Sequence, residues 1–275
     1  FFRFTQWGGL VQAQYPFDRF NRLDASLTWL NLSRDDLNDI IPSIQHMVIL
    51  PQLTYTHDDV MWGPIAPIDG TRYNASLIAS PKFGGQGLSF YSASFDFRRY
   101  FKFWRDYSFV FRGAGGGSFG PDAQHYAIGG VENWITVPPL YLINTDEDYA
   151  FLTLGLPLRG YDYGQEVGTK YLLSNLEFRY PLIRTFSTGL VPLSFRDILG
   201  TLFFDVGTAW NDPQYYRATM RDDNGNVVTR DLLMGTGFGA RIYFLFFLLK
   251  LDVAWAYNLQ SFSAPHYYIS IGEDF

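Results

Sequence analysis

The chain has 275 residues, a net charge of −6, no cysteine and 19% aromatic residues. Zero cysteine excludes a disulfide framework, a zinc–cysteine site and a cysteine nucleophile, and the acidic balance argues against general nucleic-acid binding. No run of about 18 apolar residues occurs, and the longest apolar stretch, residues 242–249, is too short for a spanning helix. Abundant aromatics at a mean hydropathy of −0.06 are what a membrane β-barrel shows. Its strands turn apolar residues to lipid and polar ones to the lumen, so the average cancels. The chain opens Phe1-Phe2-Arg3-Phe4 without Met or a leader-like segment, and is read as mature or partial.

Alternating segments of about ten residues, separated by turns, predict eleven strands. They lie near 5–16, 19–32, 45–57, 71–81, 87–103, 107–117, 169–183, 199–210, 231–244, 247–258 and 264–275. The last is the clearest: Tyr267, Ile269, Ile271 and Phe275 share one face, and Tyr268, Ser270, Gly272 and Asp274 the other. A helix would smear this period-two pattern around its circumference. The predicted fold class is all-β, a transmembrane antiparallel β-barrel. Short turns near 16–18, 104–106 and 244–247 alternate with longer segments at 32–44, 118–168, 211–230 and 259–263. Barrels of the outer membrane have short periplasmic turns and long external loops, so the C-terminus is expected on the periplasmic side. The segments 58–70 and 184–198 are long although they fall on that side. Eleven is odd, whereas bacterial single-chain barrels close with even counts. Upstream strands are therefore expected, unless one more strand is hidden within 118–168.

Several motifs in this order resemble the BamA-type outer-membrane insertase and translocase superfamily, the bacterial surface antigen barrels. Leu158-Arg159-Gly160-Tyr161 matches its [VIL]-Arg-Gly-[FY] loop motif, follows Gly129-Gly130 and precedes five predicted strands. Asn175-Leu176-Glu177-Phe178-Arg179-Tyr180-Pro181 is similar to the family's Glu-bearing strand, and Phe204-Asp205-Val206-Gly207 to its Phe-Asp-x-Gly strand. The ending Ile271-Gly272-Glu273-Asp274-Phe275 resembles its closing strand. The insertion at 131–156, between the Gly pair and the motif, departs from the family pattern. The turns around Pro16 and 63–72 look more like barrels fused to TolB-like propellers. The resemblance implies sixteen strands in all. It also implies upstream periplasmic domains (POTRA repeats or a propeller) and a loop, 118–168, that folds inward.

A loop arginine is solvated by default. The alternative is a loop turned into the lumen, where Arg159 meets Glu177 and Asp205. Parity permits this: Leu176 and Phe178 face lipid, so Asn175, Glu177 and Arg179 face inward, and Leu202, Phe204 and Val206 face lipid, so Asp205 faces inward. A guanidinium holds one carboxylate bidentately and stacks on an aromatic ring, here expected to be one such as Tyr161. The resemblance implies this second arrangement, as a structural strut without chemistry.

Other signals carry less. The glycines at 235–239 and 113–117 open no helix, so bending or close backbone approach is read in place of a phosphate loop. Asp222, Asn224 and Asn226 imitate a calcium loop, but Leu233 stands at its twelfth position; an Asn224-Gly225 turn is the better reading. The four histidines have no ligand spacing.

No enzyme activity and no cofactor are expected. The resemblance implies protein insertion or translocation at the outer membrane, through a lateral seam marked by Gly272 and Phe275. The partners are lipid, unfolded β-barrel clients or an exported polypeptide, and upstream domains or accessory lipoproteins; nucleic acid is not among them. A barrel anchor or passive channel serving an N-terminal periplasmic domain remains the alternative.

Overall fold

The structure is a computed structural model and describes residues 2–36, 42–82, 87–135, 151–187, 194–244 and 247–272. In chain order the strands are β1 (Phe2–Pro16), β2 (Asn21–Asp36), β3 (Ile44–Asp58), β4 (Met61–Trp62), β5 (Pro67–Ser80), β6 (Phe90–Trp104), β7 (Tyr107–Phe119), β8 (Tyr126–Ile128), β9 (Thr153–Gly155), β10 (Glu166–Gly168), β11 (Lys170–Ser187), β12 (Ser194–Trp210), β13 (Thr219–Arg221), β14 (Val227–Thr229), β15 (Leu233–Phe244), β16 (Phe247–Ala256) and β17 (His266–Ile271). One antiparallel wall runs β1-β2-β3-β5-β6-β7-β11-β12-β15-β16-β17, eleven strands among the described residues, with β4 paired to β5 off the path. Among the described residues, β1 and β17 end the path and do not pair with each other.

The wall follows the alternation. Trp29, Leu53, Leu77, Phe95, Phe109, Leu176, Leu202, Phe238 and Ile269 all point outward and are well exposed. That apolar face suits hydrocarbon, since lipid-facing and lumen-facing residues alternate along each strand. Aromatic side chains crowd its turn end: Phe103–Phe109 and Phe109–Phe178 ring centroids lie 5.2 and 5.0 Å apart. Tyr91 stacks on Phe119 toward the opposite end. Such girdles mark the two interfaces of a membrane barrel.

Strand boundaries depart from the sequence reading where turns proved shorter. β11 and β12 extend to Ser187 and from Ser194, pairing Thr185 with Arg196. The expected long turn at 184–198 is thus mostly strand, because ladder hydrogen bonds continue past the apolar alternation. The segment at 58–70 also shrinks: β3 runs to Asp58, and β5 starts at Pro67. Between them the chain bends inward. Ile65 and Ala66 are buried against Leu248 of β16, with Leu199 of β12 alongside. The loop after β7 holds no further wall strand among the described residues. Its β8, β9 and β10 form a separate three-stranded sheet. Asn224-Gly225 does turn a hairpin between β13 and β14, with Gly225 at φ 82°.

Register sets the inner face. Asp58, Arg72, Arg98, Arg112, Asn175, Asp205, Gly235 and Ala256 are directly paired from strand to strand across the wall. Like charges directly opposite destabilise a sheet, and here carboxylates intervene. Asp58 pairs with Arg72 at 2.8 Å, and Asp96 bridges Arg98 at 2.8 Å and Arg112 at 2.6 Å.

Candidate functional site

The loop between β7 and β11 packs onto the inner face. Leu158 is fully buried with Ile128 of the same loop, against Ala114, Leu173, Ala209 and Leu233 of four wall strands. Gly129 and Gly130 have φ of 117° and 87°, which glycine adopts without steric cost. Gly130 then exchanges both backbone hydrogen bonds with Leu158, at 3.0 Å each, and this bridge delivers the next residue to the wall.

That residue is Arg159, 1% exposed. Its Nε and Nη2 donate to Asp205 Oδ2 and Oδ1 at 2.7 and 2.8 Å, and its backbone N–H donates to Asp205 Oδ2 at 3.0 Å. Nη1 donates to Glu177 Oε1 at 2.7 Å. The planar fork thus meets one carboxylate bidentately and a second end-on, a geometry Lys cannot reproduce. Each carboxylate is shared further. Arg179 Nε donates to Glu177 Oε2 at 3.0 Å. Asn175 Nδ2 donates to Asp205 Oδ1 and to the Pro157 carbonyl, both at 2.8 Å. Beside them, Arg241 Nη1 donates to Asp252 Oδ1 at 2.7 Å. Charges removed from water need this degree of pairing, because a single missing partner leaves an uncompensated ion.

The expected stacking partner was wrong. Arg159 Cζ lies 3.5 Å from the ring centroid of Phe203, the β12 residue two before Asp205 on the same face. Tyr161 turns the other way: its hydroxyl donates to the Met234 carbonyl at 3.0 Å and accepts from Met234 N at 2.9 Å. Gly160, at φ 99°, lies so close to β16 that a Cβ would stand 2.8 Å from Ala256 N. Tyr268 of β17 then closes the site. Its hydroxyl accepts from Gly160 N and donates to the Tyr161 carbonyl, both at 2.8 Å.

The structure therefore brings Leu158, Arg159, Gly160, Tyr161, Glu177 and Asp205 together. Gly272 lies elsewhere, at φ 125° where β17 stops, its N–H donating to the Leu248 carbonyl at 3.0 Å. Phe275 lies outside the described residues. Sequence reasoning missed the contacts of Phe203, Arg241, Asp252 and Tyr268. Parity placed Phe203 and Tyr268 on the inner face, but nothing in the chain pairs position 268 with position 160.

The Omp85 superfamily domain matches residues 18–275. No curated protein sequence matches the chain. Among solved structures, the crystal structure of BamA from Haemophilus ducreyi lacking POTRA domains 1-3 is similar, with a TM-score of 0.61 at 13% identity. The likeness covers 98% of this chain and 55% of that one, so the chain spans about half its length, and the likeness is one of fold. An apolar-outside antiparallel wall, a loop arginine clamped by two wall carboxylates and a domain match over nearly the whole chain lead to one assignment: the chain belongs to the Omp85 superfamily.

Proposed function

We propose that this chain is the membrane-embedded part of an outer-membrane protein insertion or translocation device whose seam lies at β17. One observation carries the reading. Among the described residues, β17 pairs with β16 over six residues, whereas β1 pairs with β2 over the whole of its fifteen. A short edge strand leaves backbone donors and acceptors for an incoming strand, which is how β-augmentation recruits extended polypeptide. An open wall cannot stand in hydrocarbon, since each unsatisfied backbone group costs several kcal/mol there. Upstream strands, sixteen in all, would complete it, with the C-terminus on the periplasmic side and periplasmic domains or lipoproteins handing over clients. The clamped loop over the inner face opposes a passive channel.

The test reconstitutes the full-length protein in vesicles and measures folding of an unfolded barrel client. A disulfide joining Tyr267 of β17 to the upstream strand next to it across the seam is expected to abolish client assembly while the barrel stays folded. A verified crosslink that leaves assembly unchanged would show an anchor for the periplasmic region in place of an insertase.

A further inference from the structure

The outer edge of β17 is occupied within the chain. Beyond Gly130 the loop runs along the inner face to that edge. There Trp134 bridges antiparallel to Ser270. Ile135 N donates to the Ile269 carbonyl at 2.9 Å, and Ile271 N donates to the Asn133 carbonyl at 3.4 Å. These are the ladder bonds that a neighbouring strand would make, on the side of β17 away from β16, so while the loop is seated a closing upstream strand would meet β17 only before Ile269. Side chains reinforce the seat. Trp134 packs on Tyr268, ring centroids 4.8 Å apart, beside buried Val131, Phe203 and Ala254.

We propose that residues 133–135 are an internal surrogate strand, holding the β17 edge until a client strand displaces them. The inference deepens the insertion reading and rests on it. Three features suit an occupant built to leave. The pairing covers a single bridge, against six for β16. Asn133 takes a left-handed φ of 51°, which ends the extended stretch there. The paired residues, Trp134 and Ser270, each keep a buried polar atom, Nε1 and Oγ, without a hydrogen-bond partner among the described residues, and an unmade buried bond opposes the docked state. The surrogate is also wired to the clamp. Gly130 holds Leu158, and the Tyr268 ring under Trp134 carries the hydroxyl that binds Gly160 and Tyr161. Displacing the surrogate therefore removes packing from one side of the Arg159 loop. The partner this edge fits is an extended, alternating polypeptide strand.

The full-length protein in its membrane, with no client added, tests occupancy directly. A photo-crosslinker at position 269 is expected to capture a peptide containing Trp134, and a resting protein with no such product overturns the proposal. The second arm uses W134C/S270C, whose side chains face each other at a non-hydrogen-bonded pair, where Cα atoms are about 4.5 Å apart. The probe is a synthetic ten-residue strand of alternating apolar and polar residues ending in Phe. It is expected to bind the reduced form at least about tenfold more tightly than the oxidised form, and equal affinity overturns the proposal. I135P, which lacks the N–H donated to Ile269, is expected to bind the probe more tightly than the parent, and weaker binding by a folded I135P counts against it. If the probe competes as described while the parent protein inserts no whole client, the insertion reading fails and the surrogate strand stands.

Discussion

Two stretches of one wall obey the same pleat and end in opposite states. On the inner face of β1–β3, Gln12, Ser26, Thr28, Gln52 and Thr54 are exposed or half-buried. Among them Gln52 and Thr54 bond Ser76 at 3.1 and 2.8 Å, a small uncharged network. On the inner face of β11–β17, Glu177, Arg179, Asp205, Arg241 and Asp252 are all nearly inaccessible. The difference is the loop. Where it packs, water is excluded and charge must be matched by charge; where it does not, ordinary polar residues suffice. Buried ion clusters are costly to assemble and costlier to break, so the loaded half is held by specific partners and the open half by its ladder.

Breaking the clamp has the largest expected effect. Arg159→Ala strips two buried carboxylates of their shared cation and is expected to cost about 3–5 kcal/mol, read as loss of protease protection of the loop and a lower denaturant midpoint. The matching change in the open half, Arg22→Ala, removes an ion pair with Asp24 in which the arginine side chain is 53% exposed, and is expected to cost under about 1 kcal/mol. Similar losses at both sites would erase the contrast.

Two glycines sharpen it. At Gly235 a methyl group would overlap the Arg159 carbonyl oxygen, whereas a methyl group at Gly9 would meet nothing within 4 Å. Gly235→Ala is expected to destabilise by about 1–3 kcal/mol through overpacking. Gly9→Ala is expected to be neutral or to stabilise by about 0.5 kcal/mol. Denaturant midpoints of the two variants decide the point.

The smallest effect is electrostatic. Burial, then the charge of Asp231, raises the Glu166 carboxyl of β10 from 4.5 to about 7, against a backbone hydrogen bond from Ala209. The folded state therefore holds this proton more tightly than the unfolded one. Its contribution to stability is greatest below about pH 4.5 and is lost as pH rises through about 7. Glu166→Gln is expected to flatten that slope in a pH series of loop proteolysis, and an unchanged slope would place the charge penalty elsewhere.

Much of the wall was legible in the chain. Alternation predicts eleven strands, and the described residues form eleven in the main path, because a strand half in lipid records its two environments residue by residue. Errors fell where alternation fades but the ladder continues, as at Thr185 and Arg196. The segment 58–70 stands out in the chain as a long turn on the side of short ones, but nothing local says that Ile65 will find Leu248.

The sequence by itself determined which residues face inward: period two places Glu177 and Asp205 on one face wherever the strands lie. Only the tertiary structure decided which of them meet. Register put Asn175 beside Asp205, the Gly130–Leu158 bridge set the depth of Arg159, and the ring beneath its guanidinium became Phe203 in place of Tyr161. Tyr268 reaches Gly160 across 108 positions of chain, and residues 133–135 reach the edge of β17 across a longer span still. Contacts of that separation depend on how strands stack into a wall and how a loop returns to it, and no local pattern encodes either.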